Sequence, residues 1–237
     1  MTQWTRVGLA DPCTLTTERT VLHHAIQLLA AFGQTLVEPR PDDSHRSARW
    51  DPSTRAFRTD ATDEGLEAGI SLVPFRLELW RSGHPQAGTA LDDLTSEDGL
   101  AWLRSAVHEE IGDPAPDFTL PDWDLPPRDA DGETFRVSEE AREEFARWYD
   151  NAHRLLTEVA NRTAGASEVR CWPHHFDIAT LVTYPVDDAA RQGDDGEPRY
   201  IGIGLSPGDA DYPQPYLYVN AWPAPDSDAL PPLVRGS

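Results

Sequence analysis

The chain predicts an α+β fold: a mixed or mainly antiparallel sheet covered by two or three helices, in a single domain spanning residues 1–237. Three observations lead there. Apolar residues recur at helical spacing in separated segments, they alternate in others, and the late strands follow one another across loops rather than across helices. A length of 237 residues is enough to bury one core without metals or disulfides, and eight Trp, seven Phe and six Tyr supply its bulk.

The first helical segment starts near Thr16 or Thr17. Val21, Leu22, Ala25, Ile26, Leu28, Leu29, Phe32 and Leu36 give it one apolar face, which places His24 at that face's border and His23 away from it. Gly33 weakens its end, and Pro39 and Pro41 close it. Residues 48–50 and 56–58 fit a short hairpin around Asp51-Pro52-Ser53. Leu66–Trp80 alternates as one strand, with Pro74 marking an edge or a bulge. Ser96 caps a second helix whose stripe is Leu100, Leu103, Val107 and Ile111.

Residues 112–137 combine five prolines with Phe118, Leu120, Trp123 and Leu125, and read as an ordered arm against the body or a linker. Ser138 then caps the longest helix, to about Asn161. The last strands read as Val169–Tyr184, Tyr200–Leu205 and Pro215–Trp222, with an acidic surface loop at 185–199 and a frayed tail at 230–237.

Charge narrows the function classes. The net charge is −21, and every one of the 20 basic residues is arginine. A lysine nucleophile, a lysine Schiff base and a lysine-dependent phosphate loop are therefore excluded. Nucleic acid and anionic membranes are poor partners, because both need clustered positive charge. A neutral or cationic small molecule, or a protein surface, stays open as a partner. Two cysteines far apart, with no apolar run at the N-terminus, predict free thiols and a cytoplasmic protein.

The strongest local chemistry is Cys171-Trp172-Pro173-His174-His175-Phe176-Asp177. On a continuous strand, His175 and Asp177 share a face with Cys171, and Trp172, His174 and Phe176 share the other. A His and an Asp two apart can supply a base with its carboxylate, or half of a metal site. His175 and Asp177 are thus the leading catalytic candidates, followed by His174. No metal ligand set is complete, and no cofactor is identified. The last strand carries Tyr216, Tyr218, Asn220 and Trp222 on one face, a platform for a planar ligand that Trp172 can extend. Gly202 and Gly204 leave one face of the preceding strand bare for a ligand or an aromatic ring.

The segments WPHHFDIATL, YIGIGLSPGD and QPYLYVNAWP resemble an uncharacterised group of bacterial proteins with a W-P-H-H-F-D strand motif, loosely related to the DUF5996 family of unknown function. That family is similar in its LH-containing helix, here Leu22-His23-His24, and in its W-H-x-F-D-type strand, here Trp172, His175, Phe176 and Asp177 with the histidine shifted. The resemblance implies one domain of helices and sheet, and no activity. It also implies a tryptophan- and histidine-containing tail, where this sequence ends in LVRGS. Two function classes follow: a small-molecule acid–base enzyme built on the His/Asp cluster, or a non-catalytic ligand- or protein-binding domain using the aromatic face.

Overall fold

The computed structural model describes residues 4–112, 116–128, 134–183 and 199–224; the acidic loop before Arg199 and the tail at 230–237 lie outside the described residues. Its frame is a pair of antiparallel meanders. One runs β1 (Arg49–Asp51), β2 (Ala56–Arg58), β3 (Leu66–Ser71), β4 (Arg76–Arg81) and β5 (His84–Ala90). The other runs β6 (Arg170–Trp172), β7 (Asp177–Thr183), β8 (Tyr200–Ser206) and β9 (Tyr216–Trp222). They meet at one bridge: the Ala48 N–H donates to the Cys171 carbonyl at 3.0 Å, and the Cys171 N–H returns to Ala48 at 2.7 Å. Helices α1 (Thr16–Ala25), α2 (Gln27–Leu36), α3 (Ser96–Ile111) and α4 (Glu139–Arg162) share a single hydrophobic core with both sheets. The class is α+β, and every strand pairing among the described residues is antiparallel. Among those residues no helix is long and apolar enough to cross a membrane.

Two segments that alternate like single strands are hairpins. Leu66–Trp80 folds back between Ser71 and Arg76, so Pro74 sits in a turn, where its missing N–H costs no ladder bond. Val169–Tyr184 likewise folds back between Trp172 and Asp177. In both, the turn is flanked by large buried side chains: Leu72 and Phe75 in one, Phe176 in the other. A tip that plugs into the core has no polar turn signature, so alternation reads straight through it. β5, of sequence HPQAGTA, is a polar strand held by β4 and lacks an apolar pattern.

The first helical segment is two helices. Asp11 caps a short 3₁₀ turn through the Cys13 N–H at 3.0 Å, α1 follows, and the chain breaks at Ile26. The facing of the histidines is the reverse of the periodicity reading: His23 is buried and His24 only partly so. The cause is a polar ridge at four-residue spacing, where Arg19, His23 and Gln27 all meet backbone carbonyls of the second sheet's loops. Arg19 donates to Pro213 (3.0 Å) and Asp209 (2.9 Å), His23 Nε2 lies 2.8 Å from the Pro173 oxygen, and Gln27 donates to that oxygen at 2.7 Å. Buried polar groups are stable when paired this way.

Gly33 serves an approach rather than a helix end. A Cβ there would run into the His45 carbonyl, so the glycine lets the 3₁₀ turn Ser44–Arg46 lie against α2. Thr95, rather than Ser96, caps α3, in a reciprocal box with Asp98. Ser138 caps α4, accepting from the Ala141 N–H at 3.3 Å. Across this body runs the arm of residues 116–128: Phe118 stacks on Phe32 with centroids 6.2 Å apart, and the Pro126 carbonyl lies 2.8 Å from His24 Nε2. The arm thereby delivers Trp123 to the second sheet.

Burial of His23 gives a pH-dependent stability. Loss of hydration lowers its pKa from 6.5 to about 4, so the unfolded chain binds more protons between those values and stability falls as pH drops through that window. Between pH 7.5 and pH 5 His23 is expected to cost the fold about 2 kcal/mol. Urea denaturation of the wild type and of His23→Gln at both pH values checks this. Equal pH slopes in the two proteins would refute it.

Candidate functional site

The hairpin between β6 and β7 organises the site. Trp172 pairs directly with Asp177, so the two side chains share one face of the sheet, while Cys171 pairs with Ile178 and turns into the core. This corrects the single-strand assignment, which put Asp177 with Cys171 and Trp172 on the opposite face. The turn Pro173–Phe176 closes with the His175 and Phe176 N–H groups donating to the Trp172 carbonyl at 3.1 and 2.8 Å. Phe176 takes a left-handed φ of 56° and drives its ring into the core; its carbonyl accepts from the Tyr149 hydroxyl at 2.6 Å. His174 and His175 are left at the tip, with ring centroids 4.2 Å apart.

In front of this hairpin lies a cleft of about 440 Å³, within the usual range for small-molecule sites. Its floor lies along the glycine face of β8, which side chains of β9 cover. Gly204 is covered by the Tyr218 ring and Gly202 by the Asn220 amide, each from the register partner on β9. Tyr218 reaches over Gly204 to donate its hydroxyl to Asp177 Oδ2. Asp177 is only 8% exposed, and its other oxygen, Oδ1, is buried with no hydrogen-bond partner. A carboxylate has acceptor sites on both oxygens, so this atom is an unpaired acceptor.

The remaining walls come from three directions. Trp123 of the arm and Trp172 of β6 flank His174, at centroid separations of 5.4 and 6.1 Å. Asp42, Asp43 and Arg46 enter from the segment that Gly33 admits, with Arg46 paired to Asp43 at 2.9 Å and lying 5.2 Å over the Trp123 ring. Tyr200 and Asn220 close the far side.

Burial pushes the Asp177 carboxyl above its ordinary pKa, against the opposing pull of the Tyr218 hydrogen bond and of His175. Burial and the neighbouring carboxylate raise the Tyr218 hydroxyl, so it stays a donor. His174 falls to about 4 through burial, His175 and Arg46, and is neutral at pH 7. Asp42 is lowered, its burial outweighed by hydrogen bonds from Ser44, and stays ionised.

Of the residues singled out from sequence, His174, His175, Asp177, Trp172 and Tyr218 line this one cleft. Tyr216 and Trp222 do not. Tyr216 shares the sheet face but donates to Asp209 at 2.5 Å, and Trp222 lies at the far end of β9, 48% exposed. Sequence reading missed Trp123, Arg46, Asp42 and Asp43 as site residues. Their segments have no periodicity, and the signals available were a tryptophan amid prolines and a glycine inside a helix. Among the described residues no three His, Cys, Asp or Glu side chains gather to hold a metal. A larger depression, of about 680 Å³, lies beside α4 and the β1–β2 hairpin, but its arginines already pair with carboxylates, Arg49 with Asp60 and Arg58 with Glu67.

Compared with protein-family models, with curated proteins and with solved structures, the chain matches none.

Proposed function

We propose that this protein is a small-molecule enzyme that moves a proton at a ligand held in the cleft, with Asp177 as the exchanging carboxyl. One observation carries the reading: a buried carboxyl among the cleft's lining residues whose Oδ2 is held by Tyr218 while Oδ1 has no hydrogen-bond partner. Such a group is oriented and desolvated before any ligand arrives, and its raised pKa lies on the side that favours proton exchange near neutral pH. Tyr218 fixes the carboxyl plane. His175 at the tip acts on its charge, and Trp172, Trp123 and neutral His174 form the wall for the ligand. That aromatic wall by itself favours a second reading, a non-catalytic ligand-binding domain.

The kinship with the W-P-H-H-F-D group is part of the same proposal. Its two marker segments touch, since His23 of the LHH helix lies 2.8 Å from the carbonyl of Pro173 in the other segment. A cytoplasmic setting belongs to it too, supported by two free thiols, Cys13 and Cys171.

The test incubates the full chain with a desalted bacterial small-molecule extract and follows mass features over time, beside Asp177→Asn. Wild type is expected to convert at least one feature at a rate about 10²-fold or more above the variant, the range general acid–base groups supply. Features that bind but stay unchanged would replace the enzyme by the binding reading.

A further inference from the structure

We infer that the cleft selects a small planar cation, an amidinium, guanidinium or protonated nitrogen heterocycle, that donates an N–H to Asp177 Oδ1. The inference rests on the reading of this cleft as the ligand site and adds the class of ligand. Four features converge on it.

Asp177 Oδ1 is an acceptor without a donor, in a residue more than nine-tenths buried. Its Oδ2 already has the neutral Tyr218 hydroxyl, so the vacancy is for a donor, and a charged donor makes roughly twice as strong a bond as a neutral one. The charge of the walls agrees. Among the described residues Asp42 and Asp43 line the cleft, and the lining arginine, Arg46, pairs with Asp43 and lies over Trp123 with its Nε unpartnered. His174 is neutral at pH 7, and His175 is the other basic group that acts on Asp177. An anion entering would bring a second negative charge against a buried carboxylate. A cation completes the pair.

The wall is of the right kind as well. Trp123, His174 and Trp172 form contiguous ring surface, and Arg46 already lies over the Trp123 ring, which shows that this wall accepts a delocalised cation. Beside it Ala179 and Gly202 bring small residues to the lining of the cleft, and the Tyr218 ring, seated over Gly204, lies next to Asp177. The cleft's volume of about 440 Å³ leaves room for one small ring among these residues.

Isothermal titration with three probes of the same shape tests this on the full chain: benzamidine, benzamide and benzoate. Benzamidine is expected to bind at least tenfold more tightly than either isostere, and that margin is expected to vanish in Asp177→Asn. Its binding should also weaken as the pH falls, because the acceptor is the ionised carboxyl. Equal affinity for the three, a preference for benzoate, or no binding by any of them in the wild type would overturn the inference without recourse to the variant's folding. The enzyme reading fails separately: a benzamidine margin with no Asp177-dependent turnover keeps the ligand class and removes catalysis, and turnover without the margin does the reverse.

Discussion

Phe176→Ala is expected to lower the stability of the fold by about 3–5 kcal/mol, the usual range for truncating a buried ring. Phe176 is 1% exposed and stands among His23, Phe57, Phe145 and Tyr149, with ring centroids 5.5–6.5 Å away. Those partners come from α1, β2 and α4, so one side chain ties the second sheet to the first and to two helices. The backbone does not offset the loss, since alanine at φ 56° is no better accommodated than phenylalanine. Phe176→Leu keeps most of the apolar volume and is expected to lose less than half as much. Urea midpoints with an unchanged slope are the measure. A midpoint for Phe176→Ala within about 1 kcal/mol of wild type would mean that the hairpin tip does not plug the core. Because His174 and His175 sit on the same turn, the alanine variant should also lose the benzamidine margin of the cleft.

That tip also shows where sequence reading reaches and where it stops. Helices whose stripe faces one core were legible from spacing: α4 emerges with its apolar face inward under the Ser138 cap, and α3 buries Leu103 and Val107 of its stripe while Leu100 is half-buried and Ile111 exposed. The β1–β2 hairpin was legible because Asp51-Pro52-Ser53 is polar turn chemistry. The Trp172–Asp177 hairpin was not, because its turn spends a phenylalanine on the core where a surface turn would spend a glycine or asparagine. Period-two reading therefore carried the wrong parity across it, and a parity error moves every side chain to the other face. His23 failed for a related reason. Periodicity marks apolar faces, and the ridge of Arg19, His23 and Gln27 is buried by hydrogen bonds to carbonyls instead.

The site was half legible. Asp177, His174, His175, Trp172 and Tyr218 stood out as residue types that carry chemistry, and the fold puts them in one cleft. Their geometry was hidden in the β7–β8–β9 register, which sets Gly204 opposite Tyr218 and so lets a ring from one strand reach a carboxyl two strands away. The rest of the cleft is long-range: Trp123 arrives on an arm and Asp42, Asp43 and Arg46 on a turn, and only packing brings them to the sheet.

The glycine floor gives the second large effect. Gly204→Ala is expected to destabilise by roughly 3–5 kcal/mol, because a Cβ at 204 would stand 2.5 Å from the Tyr218 Cζ and hydroxyl and 2.8 Å from the Ile178 carbonyl. The ring can swing away only by leaving Asp177, which loses a hydrogen bond to a carboxylate of about 1.5–3 kcal/mol, and the Ile178 carbonyl belongs to β7 and cannot swing at all. Gly202→Ala is the internal control. The same strand gains the same backbone restriction there, worth about 0.5–1 kcal/mol, but the new Cβ meets the flexible end of Asn220 and the Leu181 methyl at 3.6 Å. Thermal and urea unfolding of the two variants should therefore separate them by several kcal/mol in stability, with Gly202→Ala close to wild type. Equal stability would remove Tyr218 from its place over Gly204, and with it the clamp on Asp177 that the catalytic reading requires. A selective loss at Gly204 ties the stability of the sheet to the oriented carboxyl, because the ring that covers Gly204 is the same ring whose hydroxyl holds Asp177 Oδ2.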